Sequence, residues 1–128
     1  MTHRLFRQIA ATALLAASGL AQALTVLPYT AQDLASAQQA GKPVAVHFHA
    51  EWCPTCKLQE KAIAQLKAEP GLDITLLVAD YDKEKDLRKA MKVRTQSTLV
   101  VFKGSDEKAR LAGDTAADKI RAALKAGL

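Results

Sequence analysis

The sequence predicts an α/β domain: a mixed four- or five-stranded sheet with helices on both faces. Three observations carry that expectation. Short apolar runs rich in β-branched residues at 44–48, 74–79 and 98–102 alternate with segments of helical spacing; Gly or Pro marks the joins; and a hairpin signal follows the last run. The 128 residues leave room for one domain. A hydrophobic content of 49%, spread along the chain, excludes disordered, collagen-like and low-complexity classes. Two cysteines are too few for a disulfide-stapled mini-protein or an all-thiolate zinc site.

Each element has its own warrant. Thr30, with Asp33 three residues later, predicts the cap of a first helix that Gly41 stops. A strand at 44–48 follows Lys42-Pro43. From Pro54 to Glu69 there is no glycine, and Leu58, Ala62, Ile63 and Leu66 recur at helical spacing until Pro70-Gly71. Residues 74–79 are nearly all apolar, as a strand covered on both faces would be. Residues 83–91 read as a short charged helix with Leu87, Ala90 and Met91 as its apolar side. The strand at 98–102 leads through a turn at Gly104-Ser105-Asp106 to a return strand at 108–111. Thr115 and Asp118 repeat the capping pattern before a last helix with Ile120, Ala123 and Leu124 as its buried stripe. A further strand at 24–27 would be the fifth.

The N-terminus reads as a targeting segment. His3, Arg4 and Arg7 precede an apolar stretch at 9–20, and Ala21-Gln22-Ala23 fits the small-x-small cleavage rule. The expectation is a secretory signal peptide over 1–23 and a mature domain over 24–128, because 12 residues fall short of the ~20 that a spanning helix needs. The mature domain carries 16 Lys and Arg against 13 Asp and Glu, a net charge of +3. These charges are interspersed, as in Lys83-Glu84-Lys85-Asp86, which is the pattern of a solvated face and not of a nucleic-acid surface.

The chemistry lies in Trp52-Cys53-Pro54-Thr55-Cys56-Lys57, where a strand ends and the long helix begins. Cysteines at i and i+3 can close a disulfide when the first is the helix N-cap and the second lies in the first turn. Opening that bond leaves a thiolate at Cys53 beside unpaired N–H groups and the positive end of the helix dipole. That field lowers a thiol pKa, and the thiolate is the species that attacks another disulfide. Pro54 fits the first helical position, where its missing N–H is harmless. A static staple is the bland alternative, yet a four-residue ring closes little chain entropy. Glu51 opposes thiolate formation and Lys57 favours it. Asp80 and Asp82 are expected to cap the helix at Lys83, and Arg94 to be solvent-exposed.

The stretch from Val46 to Lys57 resembles the active-site segment of the thioredoxin superfamily. The lead-in Leu27-Pro28-Tyr29-Thr30 and Gly41-Lys42-Pro43-Val44 is similar to the periplasmic thioredoxin-like domain of bacterial thiol:disulfide interchange proteins. Asp80-Tyr81-Asp82, Val93, the run from Thr98 to Phe102, and Gly113 extend the match over the mature chain. The resemblance implies a thioredoxin-like fold and a secreted, periplasmic thiol–disulfide oxidoreductase, with a lean toward protein-disulfide reduction or electron relay. It makes Cys53 the attacking and Cys56 the resolving cysteine, with Trp52 shielding one side of the sulfur or packing at the core edge. The redox-active disulfide would be the sole cofactor. Implied partners are oxidised or reduced secreted proteins held by transient mixed disulfide, and a membrane electron donor; a monomer is expected and nucleic acid is not.

Three departures qualify the resemblance. Ser97 stands where the family places a cis proline; because a cis bond before a non-proline residue costs ~2.5–4 kcal/mol, Gln96–Ser97 is expected to be trans. That change alters the backbone edge on which relatives lay an extended substrate, although Thr98 is retained. His47 stands where thioredoxins often have a buried acid: it could take the proton of Cys56, or be a core histidine bonded to backbone. His49 replaces a common aromatic and shares a sheet face with His47. The histidine and cysteine pairs give one alternative, a zinc or copper carrier. A redox-inactive binding module is the other. Covalent haem attachment of the usual kind is excluded by Lys57 after Cys56.

Overall fold

A computed structural model describes residues 23–128. The expected signal peptide therefore lies outside the described residues, except for Ala23, which bridges to Pro70. Five strands form one sheet: β1 (Thr25–Pro28), β2 (Pro43–His49), β3 (Thr75–Asp80), β4 (Thr98–Lys103) and β5 (Asp106–Ala112), in the order β1-β3-β2-β4-β5. β3 runs parallel to both β1 and β2, whereas β4 is antiparallel to β2 and β5 to β4. The parallel pairs need crossovers, supplied by the helices α1 (Ala31–Gln39) and α2 (Pro54–Leu66). The antiparallel pair β4–β5 needs only the two-residue loop Gly104-Ser105. Gly104 has φ +58°, the conformation that such a hairpin demands of its first loop residue.

Side-chain alternation divides the central strands between two cores. Ala45, Leu76, Leu99 and Val101 pack with Ala62, Ile63 and Leu66 of α2 and with Ile120 and Leu124 of α4 (Ala117–Lys125). On the other face Val44, Val46, Phe48, Leu77, Val100 and Phe102 meet Leu34 of α1, with Leu87 of α3 (Lys85–Ala90) at the margin. β2 lies at the centre and is buried on both faces, and the turn into α2 follows at its C-terminal end.

The expected elements are all present, with shifted ends. The first helix is capped as expected, Thr30 Oγ1 accepting the Asp33 N–H at 3.0 Å. The last one is not: Ala116 is the N-cap of α4 and no side chain caps it, so Thr115 does not have the expected role. β5 begins at Asp106, because the hairpin needs two loop residues instead of three. α2 stops at Leu66, before the proline and glycine expected to end it. Its apolar stripe also needs correction. Leu58 is 56% exposed, and Gln59 points inward at 1%. None of the described helices is long and apolar enough to cross a membrane.

Candidate active site

Cys53 is the N-cap of α2, with extended backbone (φ −93°, ψ 110°). Its Sγ accepts the N–H of Cys56 at 3.1 Å, while Pro54 occupies the first turn. One of the orphan donors of the helix terminus thus points at the sulfur. Both cysteines are free thiols.

Ser97 is the third member of the cluster. Its Oγ lies 3.2 Å from Cys53 Sγ and 3.0 Å from Cys56 Sγ, so one hydroxyl spans the pair. The Gln96–Ser97 bond is trans, as expected, since the described residues include no cis peptide. Ser97 itself adopts φ +62°, a left-handed conformation that non-glycine residues seldom take and that a proline ring forbids. Three hydrogen bonds hold it there: its N–H donates to Phe48 O (2.9 Å), and its carbonyl accepts from Gly113 N (3.0 Å) and Gln59 Nε2 (2.9 Å). Thr98, next in the chain, donates its hydroxyl to Thr95 O at 2.8 Å and does not bond to either sulfur.

Electrostatics separates the two thiols. For Cys53, burial opposes ionisation. Hydrogen bonds from the Cys56 thiol, the Ser97 hydroxyl, the Cys56 N–H and the Gln96 side chain outweigh it, and its pKa falls below the ordinary thiol value. Burial and the bond donated to Cys53 push the Cys56 thiol up. The pair is therefore poised with one sulfur ready to ionise and one holding its proton.

An attacking role for Cys53 implies a sulfur open to solvent, and the structure does not show one. The residue is 1% exposed: its sulfur packs with Ala50 and Cys56, has Ser97 Oγ at 3.2 Å and is hydrogen-bonded by the Gln96 side chain. Trp52 is 59% exposed and donates its indole N–H to Asp82 Oδ2 at 2.7 Å, so it does not pack at the core edge. Asp80 caps the turn after β3, accepting from the N–H groups of Asp82 and Lys83, but α3 starts later and has no side-chain cap. Lys57, Glu51 and Arg94 are solvent-exposed and Thr55 is half-buried.

His47 is neither bonded to backbone nor joined to Cys56. It meets Gln59 Oε1 at 2.7 Å through Nε2. Gln59 donates both protons of its amide, to Ser97 O (2.9 Å) and Asp114 O (2.8 Å), so its oxygen faces the imidazole and Nε2 of His47 must carry the hydrogen. Burial, with a smaller push from His49, lowers the His47 pKa and keeps the ring neutral, although the Gln59 bond and Glu60 act against this. Among the described residues, hydrogen bonds connect His47 to the sulfurs through Gln59 and Ser97. Sequence reasoning missed Gln59 and Gln96. For Gln59, the phase of α2 set by Cys56 and Leu66 was the available signal.

His49 shares the face of His47, their ring centroids 5.9 Å apart. Both line a cavity of ≈ 150 Å³ with Glu51, Glu60, Ile63 and Val78. Glu60 lies 3.4 Å from His49 Nε2, and Glu51 3.8 Å from Nδ1. The histidines and cysteines do not converge: among the described residues no group of three or more His, Cys, Asp or Glu is arranged to hold a metal.

A thiol capping a helix, paired with a second thiol one turn on, at the end of the central strand of this mixed sheet, defines a thioredoxin-fold dithiol protein. The thioredoxin family model matches residues 26–126, and the chain belongs to that family. It is similar to chicken protein disulfide-isomerase, with 37% identity over 109 residues, 79% of this chain but 21% of the relative. It is also similar to thioredoxin of Mycobacterium tuberculosis, 30% identical over 74 residues, and spans 64% of that protein. Among solved structures, Trxlp from Edwardsiella tarda superposes with a TM-score of 0.73 at 30% identity, covering 78% of this chain and 98% of its own.

Proposed function

We propose that this protein is a secreted, periplasmic thiol–disulfide oxidoreductase that exchanges disulfides with partner proteins through Cys53 and Cys56, in the direction of reduction or electron relay. The observation that carries the reading is Cys53 Sγ at the N-cap of α2, receiving the Cys56 N–H at 3.1 Å, with the second thiol beside it. Membership of the thioredoxin family and likeness to thioredoxins and protein disulfide-isomerase support it. The Cys53 thiolate attacks a substrate disulfide and releases one substrate thiol. Cys56 then displaces the other as the Cys53–Cys56 bond forms.

Trapping tests the roles. Cys53→Ser abolishes exchange, and Cys56→Ser accumulates mixed disulfides with partners in cells; a Cys56→Ser protein that forms no adducts sinks the relay. The direction is read from the reduction potential: a value near the ~−270 mV of thioredoxins supports a reductant, and one near the ~−120 mV of strong oxidants overturns that lean. Export rests on residues 1–23. N-terminal sequencing of the protein from the periplasm is expected to begin at Leu24, and retention in the cytoplasm with Met1 intact refutes it.

A further inference from the structure

We infer that Ser97 is a catalytic residue of the exchange reaction, its hydroxyl carrying the proton of Cys56 to the departing substrate thiolate during resolution. The inference rests on the oxidoreductase reading above and adds a chemical group that this reading does not require. Three observations meet at one side chain. The Ser97 Oγ lies within 3.0–3.2 Å of both reacting sulfurs. The residue is 2% exposed, so water does not readily replace its hydroxyl. Its backbone is held at φ +62° by the bonds to Phe48, Gly113 and Gln59, a strained conformation that aims Cβ at the cysteine pair.

A hydroxyl has one proton to give and lone pairs to accept with. In the reduced protein the Cys56 S–H and the Ser97 O–H both donate to the Cys53 thiolate; when a substrate sulfur takes the Cys53 charge, the Cys56 S–H is released to Ser97 Oγ, 3.0 Å away. Once Cys53 is bonded to a substrate sulfur, that sulfur lies one S–S bond, ~2.05 Å, beyond the atom the hydroxyl already faces. Cys56 then passes its proton to Ser97 Oγ as the Ser97 proton moves to the departing sulfur. The Cys56 sulfur attacks Cys53 Sγ, the Cys53–Cys56 bond forms, and the bond from Cys53 to substrate breaks. Two electrons leave the dithiol, the substrate disulfide is reduced to thiols, and Ser97 ends with the hydroxyl it began with. A burial that raises the Cys56 pKa makes such an acceptor more needed, because His47 Nε2 already donates to Gln59 and is not placed to serve.

The test is single-turnover reaction of the reduced protein with hydroxyethyl disulfide, quenched in acid and followed by mass spectrometry of the adduct. Ser97→Ala removes the hydroxyl; Ser97→Gly removes it and also relieves the left-handed strain. Both variants are expected to lengthen the lifetime of the mixed disulfide at pH 7 about tenfold or more, within the range for general acid–base groups. Raising the pH toward 9.5 should restore most of the rate, since hydroxide then removes the Cys56 proton. Equal lifetimes in wild type and in either folded variant overturn the inference. A slow variant that stays slow at high pH does so too, because the defect is then one of geometry. Wild-type protein that forms no adduct at all refutes the oxidoreductase reading instead, which keeps the two failures apart.

Discussion

At the scale of single residues, Gln96 presents the clearest conflict between reactivity and access. Its side chain hydrogen-bonds the Cys53 thiolate and so favours ionisation, yet it also helps to hold the residue at 1% exposure. Gln96→Ala is therefore expected to raise two observables, one reporting lost ionisation and the other gained access. The midpoint of Cys53 alkylation by iodoacetamide, held down in wild type by the hydrogen bonds to the sulfur, rises when one donor is lost. The limiting rate with a bulky aromatic disulfide increases, because the sulfur is uncovered. A variant in which both the midpoint and the bulky-disulfide rate are unchanged shows that Gln96 neither covers nor stabilises the thiolate. The cysteine pair was legible because spacing and position at a helix start are sequence properties. The Gln96 cover was not, since it depends on the left-handed turn at Ser97, and nothing in Thr95-Gln96-Ser97 announces a positive φ at serine.

At the scale of elements, α2 joins the site to the core through a polar residue. Hydrophobic spacing alone selects Leu58 as an inward position, and the helix instead buries Gln59, three residues after Cys56 and on the same face as Ile63 and Leu66. Periodicity finds apolar faces, and it gives no weight to an amide whose donors and acceptor are all satisfied indoors. Gln59→Leu strands the His47 N–H and removes a donor from the carbonyls of Ser97 and Asp114. With each buried orphan costing ~1–3 kcal/mol, a loss of about 2 kcal/mol or more in urea unfolding is expected, and a neutral effect would show the network to be dispensable. His47 adds a pH dependence of definite sign. Its folded pKa lies below the ordinary ~6.5, so the unfolded chain binds the proton more readily. Its contribution is fully present above pH ~6.5 and is lost as the pH falls from there toward the lowered folded value. The urea midpoint should drop between pH 7 and pH 5 by more in wild type than in His47→Asn; identical slopes would show that the ring titrates alike in both states.

At the scale of the whole molecule, the order of the strands follows from which runs are apolar on both faces. β2, β3 and β4 are such runs, so they occupy the three central places, and the short β1 and the charged β5 are left at the edges. The two-sided burial of β3 was legible in the sequence. How the chain closes was not, because the closure depends on a contact between distant segments. After α4 the backbone turns in at Gly127, which is buried against β4 and the segment leading into β3. A Cβ there would stand 2.8 Å from Val101 Cγ1, 3.1 Å from Phe102 O and 3.3 Å from Ile74 Cδ1. The side-chain atoms could yield a little, but Phe102 O belongs to a strand paired on both sides. Gly127→Ala is therefore expected to destabilise the fold by about 1–3 kcal/mol, the usual range for overpacking. Val101 and Phe102 lie along β4 from Thr98, away from the end that meets the cysteines, so the pH profile of Cys53 alkylation in the folded variant should match wild type. A urea midpoint equal to wild type would mean that residues 126–128 swing clear of the sheet. A shifted alkylation profile would mean that strain at this closure reaches the site through β4.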